Sequence, residues 1–403
     1  MTPPCAHEPR RVLLGVTGGI AAYQACELAS QLSQQGCAVR AVLTAGARNF
    51  VTPLTFAALT SQPAAHDMFD PAAEAAISHI DLARWAEAVV VAPATANFIA
   101  KAAHGLADDL LTTLILASTA PLLIAPAMNP QMWQHPSVAD NLAILAGRGV
   151  RTVGPRPGRT ACGEEGLGRM AEPIEIMDAL WDLLTPADLA GVAVVISAGP
   201  TREHLDPVRF ISNPSSGRMG IELARAARQR GAAVTLVLGP THLAPPPGVT
   251  TLRVTSARDM HQAVMATAAQ AQVVIKAAAV SDWRPEACAT HKAKKGADSE
   301  TCRPVANPDI LAELGAHKAG RILVGFAAET RDVLAHAADK LRRKNLDLMV
   351  ANDVSASDSG FGVTTNRVHL ISAEGEVDSL PLMTKAEVAM RILDRVAALL
   401  AQG

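Results

Sequence analysis

The chain has 403 residues, about half of them hydrophobic (49%), which is enough for roughly two to three cored domains. Its net charge of -2 argues against a general nucleic-acid binder. No apolar run reaches the ~18 residues of a membrane span. The opening MTPPCAHEPRR lacks the apolar core of a signal peptide. Six cysteines, none in CxxC spacing, point to a reducing, cytoplasmic setting. Aromatics make up only 3%, so alanine, valine and leucine must fill the cores.

Residues 12–16 are predicted as a strand, Thr17, Gly18 and Gly19 as a tight turn, 20–35 as a helix closed by Gly36, and 38–43 as the next strand. The same order recurs at 192–238, where a strand, a glycine loop, a helix closed by Gly231 and a second strand follow one another. The chain therefore reads as two α/β domains, 1–186 and 187–403, joined by LTPADLAG at 184–191. Neither glycine loop is GxGxxG and neither following strand ends in an acid, which disfavours a nicotinamide dinucleotide. GVTGG alone is as compatible with an ordinary βα turn as with a phosphate cradle.

Residues 89–91 form another strand, which runs into Thr95 and Asn97, at a position where open α/β sheets bind ligands. Asp108 and Asp109 head a helix, where their charge suits the dipole. The strand 122–125 exits at Asn129, between two prolines. His79 falls near a helix start, a common place for a capping or solvated histidine, and His66, His104 and His135 are read as structural. Cys162 lies in a loop that Gly163, Gly166 and Gly168 should make mobile, and a lone cysteine there is usually inert.

Taken in order, GVTGGIAAY, SHIDLARWAE, APATANFIAKAAHGLADDLL, APAMNPQMW and ACGEEGLGRM resemble the homo-oligomeric flavin-containing cysteine decarboxylase family, over about residues 10 to 175. The resemblance implies FMN bound by Thr17, Gly18, Gly19, Ile20, Thr44, Thr95 and Asn97. It implies His79 as the base or orienting group, Asn129 on the substrate carboxylate, and Cys162 as the acid of the final reduction. It also implies trimers, with the flavin between subunits.

In the second half, the strand at 192–196 leads into AGPTREHLDPVRFISNPSSGRMG, a proline-bent loop whose donors Arg209, Asn213, Ser215, Ser216 and Arg218 cluster near a helix N-terminus. A helix at 259–269 and a buried strand at 273–277 follow, with Asp282 at the strand exit. Lys292, Lys294 and Lys295 form either a solvated loop or a phosphate clamp. Asn307 to Ile310 begin a helix, and ILVGFAAE is a strand ending at Phe326. Lys340 and Lys344 share one helix face at 332–344, near its C-terminus, and a strand at 347–351 leads to Asn352 and Asp353. Cys288 and Cys302 have no role.

This half is similar to the bacterial phosphopantothenate–cysteine ligase family from residue 190 to about 395, through the long loop above and through KAAAVSDWRP, HKAKKG, NPDIL, GFAAET and KNLDLMVAND. The resemblance implies a carboxylate activated by CTP and a divalent metal as an acyl-cytidylate, from which cysteine displaces CMP. Asn213 would hold that intermediate, Arg209 would assist at its charge, and Lys292 would neutralise the phosphates. Asp282, Phe326, Lys340 and Lys344 would bind the nucleotide, with main-chain help from Lys276, Ala277 and Ala278 and from Pro308, Asp309, Ile310 and Leu311. Mg²⁺ would bridge phosphate oxygens with few protein ligands. Together the halves imply 4′-phosphopantothenate, L-cysteine and CTP as substrates, no nucleic-acid or membrane partner, and a homo-oligomer built from flavin-domain trimers and ligase-domain dimers, up to a dodecamer. The implied fold is two Rossmann-like domains, each a mostly parallel sheet flanked by helices.

Overall fold

The computed structural model describes residues 9–68, 79–159, 163–292, 303–329, 332–353, 360 and 362–402. The chain divides into two compact units, Met1–Thr185 and Pro186–Gly403. Both are α/β.

In the first unit five strands form an all-parallel sheet, in the spatial order Ala38–Leu43, Arg11–Val16, Ala88–Ala94, Leu122–Pro126 and Arg151–Thr152. A parallel sheet is covered on both faces, so its strands are apolar throughout rather than alternating. Every residue of Ala88–Ala94 is accordingly buried. Val12, Leu14 and Val90 pack to one face, with Leu28, Leu32 and Ile176. Leu13, Val89 and Val91 pack to the other, with Ile99, Leu111 and Leu114. Helix Ala22–Gln34 buries Ala22, Ala25, Leu28, Ala29 and Leu32, one stripe at helical spacing.

The chain leaves strand Arg11–Val16 toward one edge of the sheet and returns on its other side as Ala88–Ala94. Between these two strands lies the topological switch point, where the connecting loops part and leave a crevice. The glycine turn fits here for a steric reason. A Cβ on Gly18 would come within 2.7 Å of the Gly46 backbone, so the two loops approach closely only because residue 18 has no side chain.

The second unit has an eight-stranded sheet, in the order Thr250–Arg253, Ala233–Leu238, Ala193–Ala198, Val273–Lys276, Ile322–Glu329, Leu348–Asp353, Val368–Ser372 and Val377–Ser379. The first six strands are parallel and the last two antiparallel. Helices Arg218–Gln229 and Lys385–Leu400 cover one face through Leu223, Ala227, Ile392 and Val396. Helices Ala257–Ala268, Ile310–Ala316 and Val333–Arg343 cover the other. Arg230, only 5% exposed, joins the start of the unit to its end. It donates to Asp188 at 2.8 and 2.5 Å and to Asp394 of the C-terminal helix at 2.7 Å.

Three sequence expectations need correcting. The strand expected to end at Phe326 runs on to Glu329, because Ala327 to Glu329 keep pairing with Ala351 to Asp353. The glycine-rich stretch around Cys162 is not wholly a loop. Glu165–Arg169 pairs antiparallel with Arg156–Arg159, since a glycine may take extended backbone as readily as a turn. The segment between the strand ending at Ala198 and the helix starting at Arg218 contains a hairpin, Arg202–His204 with Phe210–Ser212.

Candidate active sites

The switch point of the first unit opens into a cleft of about 1100 Å³. Thr17, Gly18, Gly19, Ile20, Thr44, Thr95 and Asn97 all line it, as does Asn129. The hydroxyls among them are largely committed to the scaffold. Thr17, 2% exposed, donates to the Pro93 carbonyl at 2.7 Å and accepts from the Thr95 amide at 3.0 Å. It therefore braces the two strand ends against each other, and what it offers the cleft is backbone. Thr44 donates to the Val16 carbonyl at 3.4 Å and accepts from the Ala47 amide at 3.3 Å. Thr95 caps helix Ala96–His104 by accepting from the Phe98 amide. The result is a rigid, mostly uncharged floor of small residues against which a flat ring can lie, beside the N-terminus of helix Ala22–Gln34, whose dipole favours a phosphate.

Asn129 caps helix Pro130–Gln134 through its carbonyl oxygen, which accepts from the Met132 amide at 2.8 Å. Its amide nitrogen donates to Glu164 at 3.0 Å. Asn129 is thus fixed by its role as cap, with Pro130 opening the helix. Lys101 also lines the cleft, paired with Asp108 at 2.7 Å and Asp109 at 3.4 Å. The hydrogen bond to Asp108 pushes the Lys101 pKa up. Asp109 does what its position predicts, capping helix Leu110–Ala117 in a capping box with Thr112. His79 opens helix His79–Trp85, half-buried, and is not among the residues that line the cleft. Cys162 lies outside the described residues.

The second unit has its switch point between Ala193–Ala198 and Val273–Lys276. Loops from both strands meet there. Asn213 donates to the Ala279 carbonyl at 3.0 Å, and the Ser281 amide donates to Thr201 Oγ1 at 3.0 Å. Gly217, with φ of +78°, lets the chain turn sharply into helix Arg218–Gln229 beneath Asn213. Arg209 lies in the turn of the hairpin, held by Asp206.

Around the end of strand Val273–Lys276 the charge is dense. Lys276 is half-buried. Burial of its ammonium, followed by the nearness of Lys344 and, more weakly, Lys340, pulls its pKa down to about 8, against the opposing pull of Asp309 and Asp282. Lys344 pairs with Asp309 at 2.8 Å, and Lys340 with Glu329 at 2.5 Å. Burial raises the Asp309 pKa, but the hydrogen bonds from Lys344 and from the Ala312 amide outweigh this and hold the carboxylate below its usual range. Asp309 is thus both the cap of helix Ile310–Ala316 and an anchor for Lys344. Ile310 and Leu311 have their side chains in the core, at 1% and 4% exposure, so any ligand contact from them is through the main chain. Ala278 is likewise buried, Ala277, Pro308 and Phe326 are half-buried, and Asp282 and Lys292 are exposed. Lys294, Lys295 and Cys302 lie outside the described residues. Among the described residues no group of three or more His, Cys, Asp or Glu could hold a metal ion.

Sequence reasoning missed Glu329 as the partner of Lys340, and also Asp206, a fully buried carboxylate in the hairpin. The signal for Asp206 was the Asp-Pro pair, a turn starter.

Comparison with known proteins divides the chain as its contacts do. A flavoprotein family model matches residues 2–185, and a model described as the DNA/pantothenate metabolism flavoprotein C-terminal domain matches 189–400. A coenzyme A biosynthesis bifunctional protein CoaBC from Vibrio cholerae is 49% identical over 387 residues, covering 95% of this chain and 97% of the relative. The protein of that name from Bacillus subtilis is 48% identical over 394 residues, covering 97% of each. The crystal structure of the C-terminal domain of a CoaBC protein is 43% identical and covers 54% of this chain and all of that one, with a TM-score of 0.47.

Proposed function

The chain belongs to the family of bifunctional coenzyme A biosynthesis proteins, and from that membership we propose that it makes 4′-phosphopantetheine in two steps. The second unit couples 4′-phosphopantothenate to L-cysteine at the expense of CTP. The first unit decarboxylates the product with FMN. The observation that carries this reading is near-full-length identity to a named bifunctional relative, in a chain that has one switch-point site in each unit.

The ligase chemistry follows from charge. A carboxylate is a poor acyl acceptor because its oxygen leaves badly, and transfer to the α-phosphate of CTP supplies a good leaving group. Lys276, Lys340 and Lys344 are gathered where a triphosphate needs counter-charge, and release from Glu329 and Asp309 would free two of them for it. Lys292 neutralises phosphate charge during attack. Asn213, already held at the switch point by Ala279, supports the acyl-cytidylate, and Asp282 and Phe326 bind the nucleotide. Mg²⁺ bound with the triphosphate would supply further counter-charge beside Lys276, Lys340 and Lys344, with few protein ligands.

The residues of the first cleft fit a flavin. Thr17, Gly18, Gly19, Thr44, Thr95 and Asn97 are small and uncharged, and Thr17 and Thr44 are held to the strand ends. When bound, FMN supplies oxidation of the thiol-bearing carbon, so that the electron pair left by CO₂ is delocalised into sulfur. Asn129 orients the substrate carboxylate, His79 serves as base or orienting group, and Cys162 returns the proton. By the resemblance to the flavin-containing cysteine decarboxylases, the flavin site is shared between copies in a trimer; ligase units pair as dimers, and a dodecamer is the closed assembly. The protein acts in the cytoplasm, without nucleic-acid or membrane partners.

The test is mass analysis after mixing the chain with 4′-phosphopantothenate, cysteine, CTP and Mg²⁺. The expected products are 4′-phosphopantetheine, CO₂, CMP and pyrophosphate. Accumulation of unmodified 4′-phosphopantothenate, or a purified protein without a flavin absorption band, would defeat the reading of the corresponding unit.

A further inference from the structure

The hairpin between Ala198 and Arg218 carries a buried charge that its turn does not require. Asp206 is fully buried. One of its carboxylate oxygens accepts the amides of Val208 and Arg209, both at 2.8 Å, which closes the turn and is work an asparagine does equally well. The other oxygen accepts Nε and one terminal nitrogen of Arg209, both at 2.7 Å. This second arm adds nothing to the turn. It fixes a side chain that is itself 51% exposed and would otherwise be free to move. The base of the hairpin is braced as well. Ser212 donates to the Thr201 carbonyl at 2.7 Å, and the Arg202 guanidinium lies 4.6 Å from the centre of the Phe210 ring.

We propose that Asp206 is a positioning residue for the ligase reaction, one that holds the Arg209 guanidinium at the hairpin turn so that its remaining N–H groups face a developing negative charge. This rests on the proposed ligase function and on the role that the family resemblance implies for Arg209, assistance at the charge of the acyl-cytidylate. An arginine loses side-chain rotamer freedom on being fixed. The buried carboxylate meets that cost when the chain folds, so it is not met again when substrate binds.

The experiment compares Asp206→Asn, Arg209→Ala and the double variant in the full chain. Two half-reactions are read separately: pyrophosphate release from CTP with 4′-phosphopantothenate alone, and CMP release once cysteine is added. The asparagine keeps an oxygen for the two turn amides but sets N–H groups against the guanidinium. We expect Asp206→Asn to slow the same half-reaction that Arg209→Ala slows, by roughly 10- to 100-fold, as displacement of a reacting group does. The double variant should be no slower than Arg209→Ala. Losses that multiply, a loss in the other half-reaction, or wild-type rates in either single variant would each overturn the inference while the functional reading stands. A wild-type chain that releases no pyrophosphate from CTP would instead remove the functional reading, and the inference with it. Flavin-dependent decarboxylation, measured alongside, should stay at its wild-type value in Asp206→Asn. Both half-reactions slowed equally, in step with a fall in thermal midpoint, would mark it as a merely structural residue and overturn the proposal.

Discussion

The two switch points solve opposite problems with the same topology. In the first, the hydroxyls are tied to the scaffold, as Thr17 is to Pro93 and Thr95, and most of the lining is uncharged, with Lys101 on Asp108 and Asp109 the ion-paired exception. In the second, long charged side chains wait in ion pairs, Lys344 on Asp309 and Lys340 on Glu329, beside a desolvated Lys276. The contrast matches what each is proposed to hold. A resident flat cofactor is served by a fixed surface, whereas a triphosphate that comes and goes is served by cations that can change partners.

The sharpest way to break that contrast is to disable one site and watch the other. Asn213→Asp should cut cysteine coupling by roughly 100-fold or more, as loss of a positioned donor does. Decarboxylation of supplied 4′-phosphopantothenoylcysteine, followed by CO₂ release, should be untouched. Loss of both activities would show the sites to be one. The converse is Gly18→Val. Its side chain would meet the Gly46 backbone and open the cradle, so the purified protein should lose its flavin absorption while still releasing pyrophosphate from CTP.

A subtler probe uses pH. Lys276 is charged below about 8 and neutral above it, so attraction for the triphosphate should fade as pH rises through that value. The KM for CTP should rise by roughly tenfold between pH 7 and 9.5, the equivalent of about 1.4 kcal/mol. Lys276→Met should begin at the weaker affinity and show a flat profile, and flavin binding by the first unit should not follow this curve.

The smallest expected effect separates the units by stability. Arg230→Met removes charged hydrogen bonds to Asp188 and Asp394, costing about 2 kcal/mol in the second unit and nothing in the first, as read by thermal unfolding with flavin release as the first unit's marker. The hydrogen bond from Arg230 holds the Asp188 pKa below its ordinary value. A depressed carboxylate stabilises the fold above its unfolded pKa and loses that contribution as pH falls through its folded one. The wild-type second unit should therefore lose more stability in acid than Arg230→Met does.

How much of this was legible in the sequence depended on distance along the chain. Apolar runs such as Val12 to Val16 and Val273 to Ile275 announce buried strands, and a glycine such as Gly18 marks a turn, because the cause lies within a few residues. The hairpin at 202–212 was not legible, since its apolar residues Val208, Phe210 and Ile211 are exposed and show no buried pattern. Nor were the lysine partners: Asp309 and Lys344 are 35 residues apart and meet only through the sheet order. The short strands Val368–Ser372 and Val377–Ser379 escaped because they pair antiparallel at the sheet edge, after a helix–strand rhythm that had held to that point.

The C-terminal helix has a consequence for how the molecule is made. Lys385–Leu400 covers the face of the second sheet behind helix Arg218–Gln229, and Asp394 is where Arg230 is finally clasped. Vectorial synthesis therefore hands the first sheet its full complement of helices well before Lys385–Leu400 has been made. The second sheet has one face only partly covered, by Arg218–Gln229, until Lys385–Leu400 has emerged, so nascent chains stalled before that helix would carry a finished flavin fold and an unfinished ligase.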